Sequence, residues 1–98
     1  MKIKDKEVQR IAKIVVPILK KNDVVKAGIF GSYARGEAKK RSDVDMLIQF
    51  KGRKSYFDLV GLEQDLKDHL GKKVDLLTYK SVNPLLKKYI FKDEVRIL

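Results

Sequence analysis

A chain of 98 residues has room for one domain with one modest core, burying roughly 60–65% of its unfolded surface. Hydrophobic residues make up 44% and charged residues 37%, an ordinary globular balance, and the absence of cysteine excludes disulfides and thiolate metal sites and fits a cytoplasmic protein. The formal net charge of +10, from 23 Lys and Arg against 13 Asp and Glu, suits nucleic acid, nucleotide phosphates or an acidic protein, but the lysines are scattered and single out none of these.

Lys4 to Lys21 reads as an amphipathic helix. Val8, Ile11, Ala12, Val15 and Leu19 recur on one face, with acids at its start and lysines at its end. Met1 to Lys6 is charged and carries no signal pattern, and the longest uncharged apolar run, Ile14 to Leu19, is too short to cross a bilayer. Pro17 should kink the last turn of this helix. Asn22-Asp23 marks a turn, and Val24 to Phe30, rich in β-branched residues, a first strand.

A Gly-Ser turn follows, then a short helix expected over Tyr33 to Lys39 and a second strand from Val44 to Phe50. On that strand Val44, Met46, Ile48 and Phe50 share one face; Asp43, Asp45, Leu47 and Gln49 share the other. Ser55 to Asp58 fits a capping box that opens a third helix, with Leu59, Leu62, Leu66 and Leu70 toward the core and Gly71 at its end. Val74 to Tyr79 reads as a third strand. Asn83-Pro84 opens a last helix with Leu85, Leu86, Tyr89 and Ile90 on its apolar face. Glu94 to Leu98 is either a terminal strand or an extended tail. The expected fold is a single α/β (α+β) domain over residues 1–98, with a small mixed sheet of three or four strands flanked by about four helices.

The chemistry concentrates between Gly31 and Ile48. Glycine at position 31 permits a sharp turn and a close backbone approach, and Ser32 adds a hydroxyl at a helix start, a natural seat for phosphate oxygens. Asp43 and Asp45 lie side by side on one strand face, and Asp75 is the other acid embedded in an apolar strand. Like charges gathered this way repel unless a cation lies between them. The simplest candidate is Mg²⁺, a hard cation that prefers oxygen ligands and commonly binds substrate phosphates as well. Paired divalent ions can clamp the attacking and leaving oxygens of a phosphoryl displacement.

Gly31-Ser32-x-x-Arg35-Gly36 followed by Ser42-Asp43-x-Asp45 resembles the signature of the DNA polymerase β-like nucleotidyltransferase superfamily, and specifically its minimal (MNT) branch. The resemblance implies transfer of a nucleoside monophosphate, AMP from ATP being favoured, with release of pyrophosphate. It implies that Gly31 and Ser32 hold the triphosphate, that Asp43, Asp45 and Asp75 bind two Mg²⁺ ions, and that Asp75 helps to activate the acceptor hydroxyl. Arg35 would reach a phosphate or pair with an Asp; Tyr33 and Glu37 would be packing and surface residues. In the MNT branch the usual partner is a helical HEPN toxin, with the MNT protein as antitoxin, and a second copy of the chain is another way to complete the site. Transfer to a small molecule such as an aminoglycoside, and a non-catalytic binding module, remain open beside this reading. His69 reads as a surface or capping residue, and Lys39-Lys40-Arg41 as a solvated loop. The basic clusters lack the interleaved aromatic residues of single-stranded nucleic-acid binders.

Overall fold

The computed structural model describes residues 5–98; Lys4, where the first predicted helix begins, lies outside that range. Asp5 caps α1 (Lys6–Lys21), its carboxylate accepting the Glu7 and Val8 N–H groups at 2.8 and 3.1 Å. All five residues of the predicted apolar face are buried. Pro17 does not end the helix, which runs on to Lys21. The carbonyl it deprives of a partner belongs to Lys13, on the exposed side where water reaches it.

After the Asn22-Asp23 turn come β1 (Val24–Phe30), the short α2 (Gly31–Ala34) and β2 (Val44–Phe50). Next are α3 (Tyr56–Leu70), β3 (Val74–Thr78), a 3₁₀ turn at Tyr79–Ser81, α4 (Pro84–Asp93) and β4 (Val95–Arg96). The sheet order is β3-β2-β1-β4. β1 runs antiparallel to both β2 and β4, whereas β2 and β3 are parallel. This is the mixed sheet with four helices expected from the sequence. The parallel pair requires a crossover, which α3 supplies.

One face of the sheet carries the core. Val44, Met46 and Ile48 of β2, with Ala27 and Ile29 of β1 and Val74 and Leu76 of β3, pack beneath α1 and α3. Leu62 and Leu66 are the buried residues of α3, and Leu59 and Leu70 pack partly against the same cluster. The capping box forms as predicted: Ser55 Oγ accepts the Asp58 N–H at 3.2 Å, and Asp58 accepts the Ser55 N–H at 2.8 Å. On the outer edge of the sheet the Leu76 N–H donates to Glu63 of α3 at 3.1 Å.

Three expectations need correction. α2 spans Gly31–Ala34 rather than Tyr33 to Lys39. Gly36 takes φ +71°, its N–H returns to the Tyr33 carbonyl at 3.2 Å, and the Glu37 N–H returns to Ser32 at 2.9 Å. That pair of bonds is a Schellman stop, and it closes the helix after one turn. β3 ends at Thr78, because Tyr79 enters the 3₁₀ turn. Leu47, on the face shared with the acids, is itself buried. Finally, the last helix buries no residue, and its Leu85, Leu86 and Tyr89 point outward. The terminal segment, left open between strand and tail, pairs as β4 with Gly28 and Ile29.

Candidate active site

Strand register assembles the acids. Asp45 stands opposite Phe30, the last residue of β1, and beside Asp75 on the parallel β3. Adjacent strands lie about 4.8 Å apart, so these two carboxylates face each other across one strand spacing. Asp43, two residues earlier, projects from the same face just before β2 begins. Gly31 follows Phe30 directly, so the Gly-Ser turn is delivered to the same end of the sheet. It has φ +72°, and a Cβ placed on it would run into the Asp45 carboxylate. The backbone turn thus rests against the acid, and only a residue without a side chain permits this.

Crowding has an electrostatic consequence. Burial pushes the Asp45 pKa upward, and the charges of Asp75 and Asp43 push it further. The positive charge of Arg35 opposes the shift, less strongly. Asp43 is held apart from that pair, its carboxylate 3.9 Å from Lys73 Nζ. Among the described residues no three carboxylate, histidine or cysteine side chains close on one point. The site is therefore a close pair of acids with a third at its margin. Its donors are hard oxygens, one of them unfavourably ionised, against a backbone with no side chain in the way. That chemistry fits a divalent cation.

Arg35 caps the end of α2, with Nε 3.1 Å from Glu37 Oε1 and Nη1 3.6 Å from Asp93 Oδ2. Of the two roles open to it, the pairing with an Asp is present, though that Asp comes from α4. Tyr33 is buried and Glu37 exposed, as expected. Ser42 closes the approach to Asp43, its Oγ accepting the Lys39 N–H at 2.7 Å. Lys39, Lys40 and Arg41 are exposed, and so is His69, whose Nδ1 lies 2.9 Å from the Asp65 carbonyl oxygen. Two neighbours of the site were missed from sequence, Lys73 and Asp93. Neither carries a local signal, since each reaches its partner only through the fold. A cavity of about 640 Å³ lies at the opposite end of β2 and β3, between Gln49, Arg53 and Lys80, and takes no part in this constellation.

The family profile "Polymerase beta, Nucleotidyltransferase" matches residues 13–98. The chain belongs to this nucleotidyltransferase family. Over 91 residues it is 48% identical to a proposed protein adenylyltransferase of Methanocaldococcus jannaschii, covering 93% of this chain and 98% of that one. It is 40% identical over 70 residues to the protein adenylyltransferase MntA of Thermococcus cleftensis, 71% of each chain. The nucleotidyltransferase also superposes, with a TM-score of 0.73 and 20% identity, on a chain in a solved complex of a tri-AMPylated Shewanella oneidensis HEPN toxin with an MNT antitoxin. That match covers 92% of this chain and 71% of the other. The fold is thus that of minimal nucleotidyltransferases, and the enzyme class is nucleotidyl transfer.

Proposed function

We propose that this nucleotidyltransferase moves AMP from ATP onto a hydroxyl of a partner protein, and that the partner is a HEPN-type toxin which it neutralises as antitoxin. The observation that carries the proposal is the in-register pairing of Asp45 with Asp75 against the Gly31-Ser32 turn. Relatives named for protein adenylylation support the choice of acceptor. Asp45 and Asp75 would hold Mg²⁺, with Asp43 joining from the margin and two ions in all. When bound, the ions supply charge stabilisation at the phosphoryl oxygens.

The chain's own residues do the rest. The Gly31-Ser32 turn, which opens α2 against Asp45, would receive the phosphate oxygens on its backbone N–H groups. Arg35, exposed at the end of that turn, exchanges its Glu37 partner for a phosphate and keeps Asp93. The acceptor oxygen forms a bond to the α-phosphorus as the bond to the bridging oxygen breaks and pyrophosphate departs. The hydroxyl proton passes to the carboxylate of Asp75.

The test is to purify the chain with its partner from its own cells, add Mg²⁺ and each nucleoside triphosphate, and weigh every component. The partner should gain one or more AMP units with ATP, and none with Asp43→Asn/Asp45→Asn. A partner of unchanged mass, together with no Mg²⁺-dependent binding of triphosphate, overturns the proposal.

A further inference from the structure

α4 is a helix without an interior. It has ten residues and buries none of them, while Leu85, Leu86 and Tyr89 are 82%, 50% and 67% exposed. A helix this short is marginal by itself in water. It is held at its far end, where Asp93 meets Arg35 and Phe91 packs near Tyr79 with ring centroids 6.2 Å apart. Single exposed apolar residues are commonplace, but three on the outer side of one short helix form a patch. By helical spacing Lys88 and Lys92 flank the Leu85–Tyr89 stripe on its solvent side.

We propose that this outer face of α4 docks the partner protein, through a partner surface that is apolar at its centre and bordered by Asp and Glu. That the docked protein is also the acceptor rests on the function proposed above. Three observations select this occupant. The Arg35–Asp93 pair fixes the end of α4 to the turn that carries Gly31 and Ser32, so a protein seated here stands beside the carboxylates. The flanking lysines, on a chain of net charge +10, complement an acidic border. The same lysines disfavour a second copy, because a two-fold pairing of this face would set Lys88 and Lys92 against their own copies.

The experiment re-mixes the chain with the protein that co-purifies with it and measures affinity at low and high salt. Leu85→Asp/Tyr89→Asp and Lys88→Glu/Lys92→Glu should each weaken binding at least tenfold, and the wild-type affinity should fall with salt. Melting temperature and Mg²⁺-dependent binding of AMP-PNP should stay as in the wild type, which separates lost docking from lost fold. Affinity unchanged within twofold in both variants overturns the proposal, as does the absence of any co-purifying protein. So does a homodimer in sedimentation that these variants dissolve, or binding to phosphatidylserine vesicles or single-stranded RNA that they abolish. If wild-type chain binds no nucleotide yet still needs this face for its partner, the proposed transfer fails while the docking surface stands.

Discussion

Asp45 is the residue at which stability and function pull apart. Its carboxyl is pushed upward by burial and by two neighbouring acids, so the folded chain holds that proton more tightly than the unfolded one does. The native state is therefore penalised increasingly as pH rises above about 4, where an unfolded aspartate ionises. Asp45→Asn removes the penalty. The variant should melt a few degrees above wild type at pH 7, with the gap closing on acidification, and should carry out no transfer. Thermal melts across pH with a mass assay check both halves; a lower melting temperature at pH 7 would contradict the electrostatic account. Gly31→Ala should act oppositely. The positive φ alone costs about 1–2 kcal/mol, and the added methyl displaces the Asp45 carboxylate. Both the melting temperature and Mg²⁺-dependent nucleotide binding should drop.

Elements were legible where one periodicity or one cap decided them. All five core positions of α1 followed from spacing, and Ser55 with Asp58 announced the start of α3. Removing that cap by Ser55→Ala should cost about 1 kcal/mol, seen as a lower midpoint in urea with an unchanged slope. The early end of α2 was also written in the chain, since Gly36 does there what Gly71 does after α3, but polar helix formers beyond it masked the stop. The openness of α4 was not legible, because an apolar stripe looks the same whether it meets a core or a partner. Among the candidate site residues, the strand faces of Asp43 and Asp45 followed from period two. The adjacency of Asp75 depends on a crossover, and only the parallel register reveals it. The diversion of Asp43 to Lys73 and of Arg35 to Glu37 and Asp93 is a matter of side-chain contacts that no spacing encodes.

At the scale of the molecule, the site lies at one end of the sheet while most of the buried apolar surface lies beneath α1 and α3. Changes in the core and in the site should therefore separate. Leu66→Ala should cost about 2–5 kcal/mol yet leave the Mg²⁺ dependence of transfer intact below its melting temperature. In the wild type, added Mg²⁺ with AMP-PNP should raise the melting temperature by ordinary ligand linkage; the rise should vanish in Asp45→Asn. A chelator should reverse it in the wild type, read by the same melts.

The Glu63 carboxylate that receives the Leu76 N–H has a wider consequence. An edge strand with a free outward N–H is a template on which another chain can extend the sheet. Here that template is occupied from within, by a side chain of the crossover helix. Recruitment by strand addition is discouraged along β3, and association is left to helix faces and side chains. Glu63→Ala should leave that amide without its partner and favour pairing of β3 with its own copies, read as faster sedimentation than the wild type's.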